Sequence, residues 1–342
     1  MIFFYILIMV LVFGALIFIH ELGHFLTARA CGVAVKEFAV GMGPTILSWK
    51  SKKYDTKYGL RLLPIGGFVS MVGEDEESAE DGAFCNKSVP KRMIIVVAGA
   101  VMNLLLGFIL MTVMVFSQGN LASTTIAEFE DNALSNAQLQ VGDEVLRVEG
   151  VRVHTGNELV YEILNHGHEP IDIEVRRDGE NLLLEDVRFP TIEESGTVFG
   201  TYDFRVYGEE SSFFNLIKHS FYRSLSTVKM VYDSLIGLLT GRFGMEAVSG
   251  PVGVTKVVGD AAKSGILNLV YIVAVLSINL GVFNLVPFPA LDGGRFLFLI
   301  IEGIRRKPLN RNVESYVNFI GIMILFAFMI FVTVKDVFHL FS

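Results

Sequence analysis

The residues with the clearest capacity for chemistry are His20, Glu21 and His24, in the run His-Glu-Leu-Gly-His. Positions four apart on a helix are separated by about 40° around the axis and about 6 Å along it, so both imidazoles can reach one metal ion. Glu21 then lies beside the ion without ligating it, which suits a general base that takes a proton from a metal-activated water. The pattern favours a zinc-dependent hydrolase.

Chance occurrence is the alternative interpretation of so short a pattern. The run ends an uncharged stretch, where an ionisable group without a partner is unfavourable by about 2–3 kcal/mol. Two imidazoles and a carboxylate in that position indicate that they share a partner, and a metal ion meets this requirement.

A catalytic zinc ion usually takes three protein ligands and leaves one position open. Asp292 is the candidate for the third ligand, because it follows another uncharged stretch and precedes the basic Arg295. The two histidines likewise precede the basic Arg29, so all three side chains are expected at similar depth in the membrane. A helix cap is the other role open to Asp292, and the same ligands could hold iron or cobalt.

The elements that must position these residues are membrane spans. The chain has 342 residues, of which 52% are hydrophobic and 19% charged, and its mean hydropathy is +0.52. This composition is too apolar for a soluble globular protein. A spanning helix needs about 20 apolar residues. Four uncharged stretches are long enough, namely 1–19, 93–116, 264–291 and 315–334.

Lysine and arginine residues set the orientation of the spans. They are concentrated between the first two stretches and between the last two, so both segments are predicted to be cytosolic. Both termini and residues 118–263 would then lie on the other side. The first stretch lacks a basic start and a cleavage site, so we interpret it as a mature helix. The net charge of −8 gives no indication of nucleic-acid binding.

The remaining chain is predicted to form an inserted domain and a surface helix. Alternating apolar runs and turn signals from about 126 to 205 predict a small domain of short strands with one or two helices. Residues 211–240 follow a helical pattern but carry too many charges for a span, which favours an amphipathic helix on the membrane surface. The acidic run 74–81 is interpreted as a solvated loop. The expected divisions are 1–117 for the first two spans, 118–207 for the inserted domain, 208–245 for the surface helix and 246–342 for the last two spans.

Pro287 and Pro289 must interrupt the helical pattern close to Asp292. Unwound backbone at membrane depth is tolerated only where it lines a cavity or is buried in protein. Asn284, one turn earlier, could hydrogen-bond a substrate strand or satisfy the broken helix, and the sequence leaves both roles open.

Several short motifs follow one another along the chain. Their order and residue types resemble the site-2 protease family of intramembrane zinc metalloproteases, in particular the bacterial branch that acts in regulated intramembrane proteolysis. The resemblance covers nearly the whole chain. The motifs are the HELGH run, Gly41-Met42-Gly43-Pro44, Pro64-Ile65-Gly66-Gly67-Phe68-Val69, Ala98-Gly99 with Asn103, Ser249-Gly250-Pro251-Val252 and Leu291-Asp292-Gly293.

The resemblance implies a polytopic α-helical membrane protein with four transmembrane helices, a membrane-dipping β-hairpin and one inserted extracytoplasmic PDZ-like α+β domain. The hairpin would bind an extended substrate as an added strand, although an ordinary glycine hairpin is the alternative. Asn103 would line the cavity or join helices. Together with the broken helix, the hairpin gives the expected substrate-binding residues Gly66, Gly67, Phe68, Asn284, Pro287 and Pro289.

The PDZ resemblance rests on residues 133–150, ALSNAQLQVGDEVLRVEG. Gln138 replaces a glycine of the family pattern, and Glu149 replaces an asparagine, which puts a working carboxylate-binding groove in question. The three histidines of the insert, His154, His166 and His168, are expected to be exposed loop residues rather than a second metal site.

The expected function is that of a zinc metalloendopeptidase that cleaves the transmembrane segment of a single-pass membrane protein. Zn²⁺ would be held by His20, His24 and Asp292, with Glu21 as the base. The resemblance implies a trimmed anti-sigma factor or a remnant signal peptide as substrate, a site-1-type protease acting upstream, and a bacterial inner-membrane location with the active site towards the cytosol. An inert PDZ-bearing scaffold and a metal transporter are the competing functions. A scaffold has no use for Glu21, and a transporter would be expected to contain internal repeats.

Overall fold

A computed structural model describes residues 2–52, 55–74, 76, 78–119, 121–194 and 196–341. The chain forms two compact units, one of residues 1–107 and 249–342 and the other of residues 108–248. The helices of the described residues are α1 Ile2–Ala30, α2 Val89–Gln118, α3 Gly156–His166, α4 Phe213–Thr240, α5 Pro251–Ser264, α6 Ile266–Leu285, α7 Asp292–Arg305 and α8 Arg311–Phe341. The strands are β1 Val35–Lys50, β2 Lys57–Met71, β3 Leu121–Phe129, β4 Glu144–Val148, β5 Val151–Arg152, β6 Ile171–Arg177, β7 Glu180–Val187, β8 Thr191–Glu194, β9 Thr197–Gly200 and β10 Phe204–Glu209.

Among the described residues, four helices are long and apolar enough to cross a membrane, as the sequence predicts. The shortest, α6, has 20 residues and therefore spans about 30 Å, the thickness of the hydrocarbon core. Most side chains in these helices are not buried inside the protein, since buried residues make up only 11% of the most apolar part of α8 and 39% of that part of α2. Such apolar surface is suited to lipid contact. The spanning segments are Phe4–Ala30, Val89–Gln118, Ile266–Leu285 and Arg311–Phe338.

The helix boundaries differ from the uncharged stretches in two places. The first helix does not stop at Ile19 but continues through the HELGH run to Ala30. The third span is shorter than the stretch 264–291, because α6 ends at Leu285 and Val286 is extended, with ψ 134°. Val286 precedes a proline, and the proline ring disfavours helical backbone at that position. Asp292 therefore begins the separate helix α7 rather than ending the third span.

The strands β1 and β2 form a sheet in the first unit that is more elaborate than a single hairpin. Gly41 and Gly66 have φ of 87° and 83°, where a residue with a side chain would be strained, and both strands bend there. Residues 35–40 pair antiparallel with 67–71 on one side and parallel with 57–60 on the other, and 57–61 pair antiparallel with 45–50. Four segments therefore lie side by side, with 67–71 and 45–50 at the outer edges.

This sheet packs on the end of α1 that carries the HELGH run. Phe25 of α1 stacks on Phe38 of β1 with ring centroids 4.8 Å apart. The contact fixes the sheet relative to the histidines. The buried core around it consists of Phe25, Ala28, Val33, Val35, Phe38, Met71, Phe84, Ile95, Val96 and Leu299.

The second unit contains an α+β domain and the helix α4. Its main sheet has the order β10-β3-β4-β6-β7, with β5 paired to β4, and β8 and β9 form a separate hairpin. The helix α4 joins α3 through polar side chains, since the Tyr161 hydroxyl donates to Asp233 over 2.7 Å and Lys229 pairs with Glu162. The core of the domain is formed by Ile126, Leu139, Val145, Val148, Val153, Leu159, Ile163, Ile171, Ile173, Val175, Val187, Phe189 and Phe204.

Two details of this domain concern Glu149 and the histidines of the insert. Glu149 has φ 47°, a left-handed conformation that asparagine adopts more readily than glutamate, which explains why a PDZ pattern has asparagine there. The Glu149 carboxylate accepts from the Asp172 amide over 2.8 Å. The predicted exposure is wrong for His154, whose ring stacks on Tyr222 at 4.0 Å between centroids, and the predicted loop position is wrong for His166, the last residue of α3.

Candidate metal centre

The helix α1 presents His20 and His24 on one face, and both side chains are largely buried. Their Nε2 atoms lie 3.1 Å apart. Asp292 Oδ2, at the start of α7, lies 3.0 Å from Nε2 of His20 and 3.3 Å from Nε2 of His24. Within the described parts of the chain, these residues form the one group of three or more His, Cys, Asp or Glu whose ligand atoms lie within 4.8 Å of one another.

The three atoms suit a tetrahedral zinc site. With ligand distances of about 2.0–2.1 Å, tetrahedral geometry separates two ligand atoms by about 3.3 Å, close to the spacings found here. Asp292 Oδ2 is buried and has no hydrogen-bond partner among the described residues. A buried carboxylate oxygen between two imidazole nitrogens needs a compensating cation. The donor set of two nitrogens and one oxygen therefore fits zinc with one position open.

The second ring nitrogen of His24 is held by α2. His24 Nδ1 lies 2.8 Å from the backbone carbonyl of Ile95. A carbonyl can only accept, so Nδ1 carries the proton and Nε2 keeps its lone pair for a metal ion.

His20 has a corresponding contact with Asn103, which is fully buried. The Asn103 amide lies 3.2 Å from His20 Nδ1, and its Oδ1 has no partner in the described structure. When His20 Nε2 is a metal ligand, Nδ1 must donate, and Asn103 must present its oxygen to it. Ser277 of α6 donates to the backbone carbonyl of Asn103 over 2.7 Å. Asn103 therefore serves both roles that the sequence left open, since it contacts the site and its backbone joins two helices.

Gly99 of α2 faces the two histidines directly. A Cβ at this position would lie 2.4 Å from His24 Nε2 and 2.6 Å from His20 Nε2. Any side chain there would enter the space between the ligand atoms. From the sequence, Gly99 is identifiable only as part of a motif. Glycine is unfavourable within an apolar helix, and this alone could have indicated that Gly99 has a special role.

Asp292 is positioned by a tight turn over residues 286–291. Gly293 lets this turn fold against α7, because a Cβ there would lie 2.2 Å from the Val286 carbonyl. Ala290 has φ 76°, a strained conformation for alanine, and its amide donates to Asn318 Oδ1 of α8 over 3.2 Å. The turn that presents Asp292 is thus fixed from both ends.

Glu21 lies next to the ligands and points to the sheet. Its Oε2 accepts from the Val69 amide over 3.1 Å. Gly67 passes close by, since a Cβ there would lie 3.5 Å from Glu21 Cγ. The outer strand 67–71 therefore runs directly past the predicted base.

The other predicted substrate-binding residues lie in the sheet, in the turn before Asp292 and at the end of α6. Gly66 forms the bend before the outer strand, and the Arg61 guanidinium lies over the Phe68 ring at 4.4 Å from its centroid. Pro287 and Pro289 belong to the turn before Asp292. Asn284 is half-buried in the last turn of α6, and no hydrogen bond joins it to the ligands in the described structure.

Comparison with known proteins identifies the family. Residues 8–328 match the sequence profile described as peptidase family M50. The chain belongs to peptidase family M50. A zinc metalloprotease of Clostridium acetobutylicum is 36% identical over 336 residues, which cover 98% of this chain and 98% of the relative. A zinc metalloprotease of Clostridium perfringens is 35% identical over 334 residues, covering 97% and 98%. The regulator of sigma-W protease RasP of Bacillus subtilis is 30% identical over 416 residues, covering 97% and 98%.

The M50 assignment confirms the main functional expectations. The protein is a zinc metalloprotease of the site-2 type with Zn²⁺ as cofactor, and with four apolar helices it is a multi-pass membrane protein. M50 peptidases of this type act inside the membrane, which agrees with ligands carried by or adjoining membrane-spanning helices.

One residue of this M50 protease was misinterpreted from the sequence. The sequence predicts that the acidic run 74–81 is solvated, but the Glu74 side chain is only 13% exposed and pairs with Arg295 of α7. Its Oε2 also accepts from the Met71 amide over 3.2 Å. Charge runs are usually exposed, and only the tertiary fold brings Arg295 to this one. Residues 75 and 77 of the run lie outside the described residues.

Proposed function

We propose that the protein hydrolyses a peptide bond within the transmembrane segment of another membrane protein. Zinc is held by His20, His24 and Asp292, and Glu21 is the general base. The observation that carries this proposal is the triangle of ligand atoms, 3.0–3.3 Å apart, with Glu21 and an outer strand beside it.

The chemistry divides between the metal and the side chains. When bound, zinc supplies Lewis-acid polarisation of the scissile carbonyl and acidifies a water molecule to a pKa of about 7. Glu21 accepts the proton of the attacking water and delivers it to the leaving nitrogen. Ile95 and Asn103 hold the two imidazoles in the orientation that directs Nε2 to the metal.

A substrate is bound as an added strand at the outer edge of 67–71. A transmembrane helix has its backbone groups bonded internally, so its scissile carbonyl becomes accessible only after local unwinding. An edge strand supplies alternative hydrogen bonds to the unwound segment. Gly66, Gly67 and Phe68 form this edge, and the unwound turn with Pro287 and Pro289 offers further backbone next to Asp292. Asn284 is proposed as an amide contact to the substrate.

The sheet is proposed to dip into the membrane. Its other outer segment, 45–50, exposes Ile46, Leu47 and Trp49 by 55–61% each. Apolar side chains displayed together in this way are expected at a lipid surface.

The helix α4 is proposed to lie on the membrane surface. Its exposed side chains include Phe214, Phe221, Leu225 and Leu239, and Phe214 is 82% exposed. The side that it buries is formed by small and polar residues, among them Ser220 and Thr227. An apolar aromatic face on the outside is the reverse of a soluble helix and fits an interface with lipid.

The substrate is proposed to be a single-pass membrane protein, such as an anti-sigma factor trimmed by a site-1-type protease or a remnant signal peptide. The similarity to a protein named regulator of sigma-W protease supports the first class. The domain of residues 118–207, with its sheet of short strands and Gly142-Asp143 turn, is proposed to be a single PDZ-like unit that lies outside the cytoplasm with both termini. It acts as a filter against substrates with bulky outer domains.

Cleavage of a tagged single-span substrate by purified wild type and Glu21→Gln in detergent tests the proposal. We expect loss of cleavage with zinc retained near one ion per chain, because Glu21 is a base and not a ligand. Equal product from both proteins would refute the catalytic assignment and favour a scaffold. Uptake of metal into vesicles without cleavage would favour a transporter.

A further inference from the structure

The outer strand 67–71 is held at two successive amides on the same side. Residues two apart on a strand direct their N–H groups the same way. The Val69 amide donates to Glu21 Oε2 over 3.1 Å, and the Met71 amide donates to Glu74 Oε2 over 3.2 Å. One carboxylate is the proposed base, and the other lies outside the zinc site.

Glu74 also connects this strand to the helix that carries the third ligand. Its Oε1 pairs with the Arg295 guanidinium. Arg295 lies three residues, or about one helical turn, after Asp292 in α7. The Glu74 side chain is 13% exposed and that of Arg295 is 32% exposed, so their attraction is less screened than that of a surface pair.

We propose that Glu74 is a positioning residue that aligns the outer strand 67–71 with α7. The strand holds Glu21, and α7 holds Asp292, so the Glu74–Arg295 pair sets the base and the substrate edge relative to the metal ligands. This inference rests on the proposed function of the zinc site.

The surroundings of the pair support this role. A cavity of about 150 Å³ adjoins it, lined by charged and polar side chains and also by apolar ones such as Phe298 and Leu309. The charged side chains beside the pair make this part of the space suited to water. Met71 of the strand and Leu299 of α7 belong to one buried apolar core, and the ion pair adds a directional connection between strand and helix. The charged and amide side chains at the cavity are Glu74, Arg92, Arg295, Glu302, Arg311, Glu314 and Asn318.

The same cavity provides a matched control. Arg92 of α2 pairs with Glu302 of α7, with Nη1 at 3.1 Å from Oε2, and these side chains are 12% and 17% exposed. Glu302 lies ten residues after Asp292, and the Arg92–Glu302 pair does not include a residue of the outer strand. It shares the burial and charge of the Glu74–Arg295 pair without its connection to Val69 and Glu21.

A double-mutant cycle on the full-length protein tests the proposal. We expect Glu74→Gln and Arg295→Gln each to lower kcat by about 10-fold and to weaken zinc binding several-fold in chelator competition, because the base and the ligands lose their alignment. The glutamine oxygen can still accept from the Met71 amide, so the local turn is kept. The double variant should have the same kcat and zinc affinity as the single variants, since each single variant already removes the same Glu74–Arg295 ion pair.

The controls separate positioning from general stability. Arg295→Lys keeps the charge and should recover part of the lost kcat, and Glu302→Gln should lower Tm while leaving kcat and zinc affinity within about 2-fold of wild type. An equal loss of kcat in Glu302→Gln, or a double variant whose effect is the product of the singles, would overturn the inference. Wild-type kcat and zinc affinity in Glu74→Gln would overturn it while leaving the proposed function intact. Failure of the wild type itself to cleave would refute the proposed function instead.

Discussion

At the scale of single residues, the candidate metal centre requires a residue without a side chain at position 99 as well as the three ligand residues. Gly99 leaves the space between His20 and His24 free, since a methyl group there would lie 2.4 Å and 2.6 Å from the two Nε2 atoms. In an ordinary helix, alanine is favoured over glycine by about 1 kcal/mol. The glycine is therefore explained by the site and not by the helix.

Gly99→Ala is expected to abolish zinc binding, with a loss of affinity of about 100-fold or more, because the new methyl group competes with the metal for the same space. Zinc content per chain and chelator competition measure this. The matched control is Gly107→Ala on the same helix, where the new Cβ would lie 2.4 Å from the Ile278 side chain. It should lower stability and retain zinc. A Gly99→Ala protein with one zinc ion and wild-type affinity would contradict the position of the metal.

At the scale of elements, the proposed catalysis depends on the outer strand 67–71. The strand holds Glu21 through the Val69 amide, and among the described residues no further strand pairs with it on that side. Its position follows from the bends at Gly41 and Gly66 and from the packing of Phe38 on Phe25. The positions of the proposed base and of the proposed substrate-binding edge therefore both depend on the outer strand.

Val69→Pro removes the amide that holds Glu21 and interrupts the edge. We expect kcat/KM to fall by about 10- to 100-fold while zinc stays bound, because the ligands are on other elements. Cleavage kinetics and metal content should be measured together. Val69→Ala keeps the amide and should remain within a few-fold of wild type. If both variants lose activity to the same extent, the side chain and not the edge would be responsible.

At the scale of the whole molecule, the proposed chemistry and the proposed selection of substrates fall in two different compact units. The proposed zinc ligands, Glu21 and the outer strand all belong to the unit of residues 1–107 and 249–342. The unit of residues 108–248 has its own core and sheet. Chemistry and the proposed filtering of substrates should therefore be separable by deletion.

Deletion of residues 126–205 is expected to leave cleavage of a trimmed substrate intact and to allow cleavage of an untrimmed one. The physical reason is that the deleted domain supplies no ligand or base. The ratio of cleavage rates for the two substrates is the measurement, and Glu21→Gln in the deleted protein verifies that the same site acts. An unchanged preference for the trimmed substrate would refute the filter.

The sequence by itself determined the parts of this protein that depend on local spacing and hydropathy. Helical periodicity brings His20 and His24 to one face, and apolar length identifies the four spans. Both follow from neighbours along the chain. The sequence also identified Asp292 as a candidate ligand, because the order of the spans predicts its depth in the membrane.

The tertiary structure decided what depends on contacts between distant segments. It folds β1 and β2 into four paired segments, gives Asp292 a helix of its own after Val286, and brings Gly99 and Asn103 to the histidines. It also places Glu74, one acid of a charged run, in an ion pair with Arg295. The contacts of Asn103 with His20 and of Glu74 with Arg295 join residues that are 83 and 221 positions apart, which no local pattern encodes.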